Sequence, residues 1–537
     1  MLFDQRQDSV GCPSDQVAQQ WRDTLLVDDL DGGPRRMRFR NTLWLPQEPK
    51  EENADYQKRL SRSSLYPGLT DALDRAVSKP FSRKVVVKDL PPGIDEAWLQ
   101  NIDGEGNDIT QFCRNWLRAA IKHGQAHCWV DYTPMVKPDG SAPTRADELT
   151  KKPRPFMRLI EQSNVLGWEV ITLPDGSQGL SELRFREIKT TGSGYRKKKH
   201  EFVRVLRLNS FEVWENESYQ PPTWSLRNAS SEYYDWQEDR VADWKLIDSG
   251  PFGPEGGFQK LPIQTLYTGY RGFMVARPAF IDLAEVNLTH WQSASDQRNI
   301  LHVARVPMLF AQGFGEDEVK KGIVAGAGVL VSSREPGAQL SYVEHSGQAI
   351  EAGQVDLDQL EKLMQSMGAR PMTERTGDIT ATQTAVAESG TTTDIQCWIK
   401  AEEAGTKGAL VLMGQWLDIP AEAIERCTVD IFSDFAVVLK GNEDLKDLRA
   451  MRDKGDISLE TYLREVKRRG LLADDLDIEE EMDAIEEEKQ AGAERALEIA
   501  GGAQPDGKVS PKAGAMPEED DMGEPGAMPG KPMMQMK

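Results

Sequence analysis

The side chains able to do chemistry are scattered along this sequence rather than gathered into a signature. His123, His127 and Cys128 come closest together, and two imidazoles with a thiolate are zinc-ligand types. Gly124 is placed to end a helix between them, and no second ligand pair lies nearby. Helix-end and strand roles are therefore expected, and no metal site. Arg196, Lys197, Lys198 and Lys199 form a cationic run inside KTTGSGYRKKKHE, where a solvated hairpin tip is expected rather than a dedicated phosphate site. The spacings G-x-x-x-x-G-K-[ST], G-x-G-x-x-G after a strand, H-E-x-x-H and G-x-S-x-G are all missing. The six histidines suggest no triad, and paired acids follow from the composition. No catalytic residue and no cofactor are expected.

Composition narrows the field further. A chain of 537 residues exceeds one ordinary core, so two or more packed regions are expected. The formal net charge is −22, and residues 441–537 supply half of it, with 25 Asp/Glu against 14 Lys/Arg. Such a chain is poorly suited to wrapping nucleic acid with a basic face, because phosphate binding rests on cations. It remains suited to letting DNA slide past without sticking. Five cysteines, Cys12, Cys113, Cys128, Cys397 and Cys427, are odd in number and free of C-x-x-C spacing, which fits a reducing cytosol. The N-terminus lacks a signal-peptide build and no apolar window is long enough for a membrane span. A soluble protein made in a cytoplasm is expected.

The elements that must carry these residues are legible from periodicity. The first 40 residues are polar and turn-rich and read as a partly disordered arm. SSLYPGLTDALDRAVSKPF carries Leu69, Leu73 and Val77 at helical spacing, and SRKVVVKDLP is a short strand. DITQFCRNWLRAAIKHG is a helix stopped by Gly124, and QAHCWVDY is a buried strand. Between 156 and 270, PFMRLI, VLGWEV, LSELRFREI, EFVRVLRL and SFEVWE read as an antiparallel meander. From Arg277, with Pro278 suited to a first helical turn, a long amphipathic helix places Phe280, Leu288, Trp291, Ser295 and Arg298 on one stripe. RVPMLFAQ, AGVLVSS and QLSYVEH are strand candidates of a small insert, and AGQVDLDQLEKLMQSMGA is a returning helix. The two helices are expected side by side with the insert at their end.

The stretch MTERTGDITATQTAVAESGTTTD, residues 372–394, then divides in two. Thr380 and Gln383 have the spacing of a capping box, so a helix is expected from Thr380 to Asp418, with a short loop at 373–379 before it. Gly390, Gly405, Gly408 and Gly414 each cost such a helix about 1 kcal/mol relative to alanine. It must therefore be held by neighbours that its small residues let come close. CTVDIFSDFAVV follows as a strand, and NEDLKDLRAMRDKGDISLETYLREVKRRGLL reads as two helices joined at KGDIS. An acidic helix comes next, and the Gly/Pro/Met-rich tail beyond Gly501 is expected to be disordered.

This order resembles that of tailed-bacteriophage portal proteins, and most closely the phage group known as domain of unknown function 4055. The matching stretches are LWLP…ADYQKRLSRSSLY, HGQAHCWVDY, ARPAFIDLAEVNLTHWQSASDQRNILHVARVPMLF, GARPMTERTGDITATQTA, SDFAVV and KGDISLETYLREVKRRGLL. The resemblance implies an α+β portal fold. Residues 1–40 would be an arm, 41–276 an α/β wing with the meander, and 277–304 and 350–372 a two-helix stem. Residues 305–349 would form a β-rich clip, 373–379 a tunnel loop, 380–440 a wing-crossing helix and strand, 441–490 a helical crown, and 491–537 a tail.

It further implies a non-enzymatic ring, usually of twelve subunits, at one capsid vertex of the virion, assembled in the host cytoplasm. Double-stranded DNA would pass through non-specifically during packaging and ejection. Terminase large subunit, head-completion or tail adaptor proteins, and capsid or scaffolding protein would be partners. Arg370, Thr373, Arg375, Thr376 and Gly377 would line the channel at the tunnel loop, and Lys320, Lys321 and Arg334 would belong to the clip. A head–tail adaptor that is not the portal, or a phage nucleic-acid-processing enzyme, are the other classes. Clustered acids on strand ends would mark a metal-dependent nuclease, and the sequence does not suggest them.

Overall fold

The computed structural model describes residues 9–133, 152–192, 195, 197–219, 243–254, 257–304, 308–312, 337, 339–343, 347–369, 393–433, 442–468, 471–472 and 476–501. The chain forms two units, residues 1–435 and 436–537.

The first unit opens with α1 (Asp15–Asp31), α2 (Gly33–Phe39), α3 (Asn41–Trp44) and α4 (Asn53–Arg62). This corrects the expected arm over 1–40. Val17, Leu26, Val27, Leu30 and Met37 are core residues. Several of the acids of α1 are internal partners. Asp29 is fully buried, accepts from Arg36 Nε and Trp44 Nε1 at 2.8 Å each, and pairs with Arg40 Nε at 2.8 Å. Charge spacing concealed the helix because the sequence does not say which charges meet each other.

The helix α5 (Gly68–Ser78) buries Leu69, Leu73 and Val77 as its spacing predicts. After β1 (Val86–Lys88), α6 (Ile109–His123) starts at Asp108, whose side chain accepts from Gln111 N, and stops at Gly124 with φ 83. That left-handed turn needs glycine, and it feeds β2 (Gln125–Tyr132), whose first six residues are buried. β2 is the centre of a three-stranded antiparallel sheet between β3 (Pro155–Glu161) and β9 (Ile263–Tyr267). PFMRLI is therefore a neighbour of QAHCWVDY and not a meander strand, a pairing that alternation alone does not choose.

The meander itself is β4 (Val165–Thr172), β5 (Gln178–Thr191), β6 (Lys198–Arg207), β7 (Ser210–Asn216) and β8 (Trp244–Pro251), each antiparallel to the next. Trp129 of β2 meets Phe185 of β5 edge-on at 5.8 Å, and Phe252 and Phe258 pack on Trp416 at 5.5 and 5.0 Å. These rings form the core between the two sheets.

After the short hairpin β10 (Tyr270–Gly272) and β11 (Val275–Ala276), α7 (Ile281–Ala304) leads to β12 (Met308–Gln312). β13 (Gln339–Val343) pairs with β12, and α8 (Gln348–Ala369) returns along α7. The first helix starts at Ile281, later than the expected 277. AGVLVSS lies outside the described residues.

The long helix is α9 (Asp394–Trp416), followed by α10 (Ala421–Ile424) and β14 (Thr428–Asp430), which pairs with β1. One continuous helix from Thr380 is ruled out at Thr393, whose backbone is extended with ψ 157. Both T-x-x-Q spacings can cap, but Gly390 and Thr391–Thr393 separate them, and helix propensity is poor across that run. The capping box forms at the third threonine. Gln396 N donates to Thr393 Oγ1 at 3.3 Å and Thr393 N donates to Gln396 Oε1 at 2.9 Å. Residues 380–392 are outside the described residues. β14 is also shorter than the strand expected over CTVDIFSDFAVV.

The second unit contains α11 (Asn442–Lys454), α12 (Leu459–Arg468) and the acidic α13 (Ile478–Gly501). Ser458 Oγ accepts from Thr461 N at 3.1 Å and caps α12, as KGDIS predicts. Leu463 and Val466 are its buried residues.

Candidate functional site

The candidate site is the region built from α7, the β12–β13 ladder, α8 and α9. α7 is fastened by a buried apolar stripe and also by side-chain amides reaching the segments around α3–α5. Asn287 accepts from Leu69 N and donates to Tyr66 O, each at 3.0 Å, and Gln292 Nε2 donates to Trp44 O at 2.7 Å. Between the two helices, Gln297 Nε2 donates to Ile350 O at 2.7 Å, and His290 Nε2 lies 3.4 Å from Glu361 Oε1. Burial lowers the His290 pKa, against the opposing pull of Glu361 and Asp356. The stripe is apolar at Phe280, Leu283, Ala284, Leu288 and Trp291, then becomes polar. Arg298, expected on it, is exposed and turned to α4.

On α8, Leu357 and Met364 are buried, while Val355 and Leu363 are 50% and 42% exposed. α8 thus has a second, partly apolar face toward solvent. At the far end the ladder runs in register from Met308↔Val343 to Gln312↔Gln339. A helix, a strand pair and a returning helix are thereby joined in the expected order.

α9 shows why its glycines are tolerated. A Cβ at Gly405 would lie 3.1 Å from the Trp116 ring, and one at Gly408 would lie 2.8 Å from Gln264 Oε1. Loss of helix propensity is offset by close packing on α6 and β9. Trp398 Nε1 donates to Thr268 O at 3.1 Å and Trp416 Nε1 to Val130 O at 3.0 Å, which pins both ends of the helix. Glu402, at 0% exposure, has neither carboxylate oxygen hydrogen-bonded. Burial, with the adjacent Glu403, holds its pKa well above the usual carboxyl range. No sequence signal marked Glu402, because its charge looks like any other on a helix.

His123, His127 and Cys128 do not converge. His123 Nε2 lies 2.9 Å from Asp28, His127 bridges Thr265 Oγ1 at 3.0 Å and Gln162 Oε1 at 2.9 Å, and Cys128 is buried. Burial pushes the His127 pKa down to about 4. Asp28, His123 and Glu161 do approach within 4.8 Å of one another. The Lys122 ammonium takes the cation's place among them, 3.0 Å from Asp28 and 3.1 Å from Glu161, so this donor set does not suit a metal. Although burial opposes it, His123 and Lys122 hold the Asp28 carboxyl well below its ordinary range.

Of the sequence-predicted site residues, Arg370, Thr373, Arg375, Thr376 and Gly377 of the tunnel loop lie outside the described residues. So do Lys320, Lys321 and Arg334 of the clip. Lys197, Lys198 and Lys199 sit at the β5–β6 hairpin tip and are exposed, as expected for a solvated turn. No disulfide joins the five cysteines. Among the described residues, no helix is long and apolar enough to cross a membrane.

No curated protein matches the chain. Among solved structures, it is similar to a chain of the virion of a native gene transfer agent particle, at 10% identity and TM-score 0.34, covering 79% of this chain and 91% of that one. It is likewise similar to a chain of the neck of such a particle computed with C12 symmetry, at 10% identity and TM-score 0.35, covering 74% and 88%. Residues 279–417, which carry α7, the β12–β13 ladder, α8 and α9, match the family described as Domain of unknown function (DUF4055), the resemblance read from the sequence.

Proposed function

We propose that this chain is the subunit of a phage portal ring, a structural protein of the virion through which double-stranded DNA is packaged and later ejected. The observation that carries the reading is the coincidence of the family match at 279–417 with a helix, a two-stranded ladder, a returning helix and a long small-residue helix. In this reading α7 and α8 are the stem and the β12–β13 ladder belongs to the clip. Residues 373–379 are the tunnel loop, α9 crosses the wing, and α11–α13 belong to the crown and the segment that follows it. A stem of two helices with a strand pair at its end favours a portal over a head–tail adaptor.

Assembly would be heterologous, each subunit offering one face to the next until the rotation closes. The α8 face carrying Val355 and Leu363 suits such a contact. The acidic balance would keep the lumen from gripping phosphates, leaving Arg370 and Arg375 as transient contacts, and Lys320, Lys321 and Arg334 would meet terminase or the adaptor. Negative-stain microscopy of the purified protein tests the reading. Closed rings with an axial channel are expected, and a monomer at high concentration refutes it. Deleting Thr373–Gly377 should leave rings intact and reduce DNA packaging; loss of rings would make that segment structural.

A further inference from the structure

Arginines in the α1–α7 neighbourhood fall into two groups. Arg36 and Arg40 meet Asp29, Arg59 meets Glu51 through two bonds of 2.8 Å, and Arg118 meets Asp31 and Asp74. In a chain with 87 acids and 65 Lys/Arg, that pairing is the statistical default. Arg38, Arg62 and Arg298 stand outside it, as Arg75 and Arg114 also do. Among the described residues no salt bridge holds any of the first three, although the Arg62 charge acts on Asp55 of its own helix, and they come from three separate elements, α2, α4 and α7.

What draws them together is the carboxyl end of α4. Arg38 Nη2 donates to Ser63 O at 2.5 Å and Arg298 Nη1 donates to Arg62 O at 3.3 Å. The exposed carbonyls of a helix end attract cations, so each contact is favourable by itself. The second guanidinium nevertheless costs energy. Burial and the Arg298 charge together lower the Arg38 pKa, and Arg38 Nε is buried without an acceptor. Arg298 is exposed and Arg62, in the last turn of α4, is half-buried. Each guanidinium carries five N–H donors, and one bond to a carbonyl leaves most of them available. Two like charges fixed on adjacent carbonyls, one of them the carbonyl of Arg62 itself, suit an oxyanion better than a structural ion pair.

We propose that Arg38, Arg62 and Arg298 form a phosphate-binding site on which the phosphodiester backbone of duplex DNA seats. The oxyanion chemistry stands on the three side chains; only the choice of DNA as the source of phosphate rests on the portal reading. One site per subunit would give a ring a repeated, sequence-independent hold in a molecule whose net charge otherwise repels DNA.

The test uses the full-length protein and a short fluorescent duplex, with anisotropy followed over a sodium chloride titration. Arg62→Gln leaves both carbonyl contacts in place, Arg298→Gln removes one, and Arg298→Lys keeps the charge without the fork. Each glutamine variant should weaken duplex binding on the order of tenfold at low salt. Each should also reduce the slope of log affinity against log salt by about 1. The lysine variant should fall between. Unchanged affinity and slope in folded Arg62→Gln and Arg298→Gln overturn the site. Arginine-dependent binding of polyglutamate without duplex binding assigns the patch to an acidic polypeptide and overturns it too. Inorganic phosphate that binds where the duplex does not overturns the phosphodiester assignment. Mass photometry on the same samples separates the two ideas: rings with arginine-independent duplex binding refute this site alone, whereas monomers with arginine-dependent binding refute the ring alone.

Discussion

Glu402 offers the sharpest test of the α9 packing. Its carboxyl is fully buried against α6, near Cys113, and neither oxygen has a hydrogen-bond partner. Burial and Glu403 raise its pKa in the folded state, so between the ordinary carboxyl value of 4.5 and the folded value the native protein holds one proton more than the unfolded chain. Stability must then fall as pH rises across that window, by about 1.4 kcal/mol per pH unit.

Glu402→Met fills a similar volume without polar atoms and removes this slope. The variant should therefore gain on the natural protein as pH rises, by up to about 4 kcal/mol from pH 5 to pH 8 while the buried carboxyl keeps its proton. Glu402→Gln should flatten the slope equally but retain the cost of an unpaired amide, about 1–3 kcal/mol. Urea midpoints read from tryptophan fluorescence at several pH values, with unchanged urea sensitivity, measure the difference. Other titrating groups, His127 among them, cancel in that difference. Parallel curves for the natural protein and Glu402→Met would show that Glu402 ionises freely, and the account of α9 packing given above would fail.

Three further outcomes follow from the same geometry. Arg59, 4% exposed and held by Glu51 and Asp296, should cost roughly 1–3 kcal/mol when replaced by alanine, because the half-buried Glu51 carboxylate and the Pro46 carbonyl lose their donor; a urea midpoint within error of the natural protein refutes this. Thr393→Ala should cost about 1 kcal/mol through the lost capping box, with faster amide exchange confined to the first turn of α9; exchange raised elsewhere instead would contradict it. Asp28 has a depressed folded pKa, so its contribution is complete above the unfolded value of 3.8 and is lost as pH falls below it. Lys122→Met should therefore reduce stability at neutral pH and make the acid unfolding transition shallower, and an unaltered acid limb would remove Lys122 from the account.

Elements with a strong period were legible in the sequence. α5, α6, α7 and α8 lie where apolar spacing put them, to within a few residues, and Gly124 and Ser458 end and start helices as their chemistry dictates. α1 was hidden because the first 40 residues read as a polar, turn-rich arm, whereas in the fold Asp28, Asp29 and Asp31 meet Lys122, Arg40 and Arg118. The start of α9 was misplaced because two equivalent capping boxes compete, and the choice between them depends on where the helix finds α6 and β9 to pack against.

The sequence by itself determined the periodic helices, the meander hairpins, the acidic bias and the order of elements that carries the family match, since these depend on residues near one another in the chain. Only the tertiary structure decided which charges are paired. Pairing depends on distance in space, and that is what separates Arg59 from Arg298, buries Glu402 without a partner and places PFMRLI beside β2 rather than in the meander.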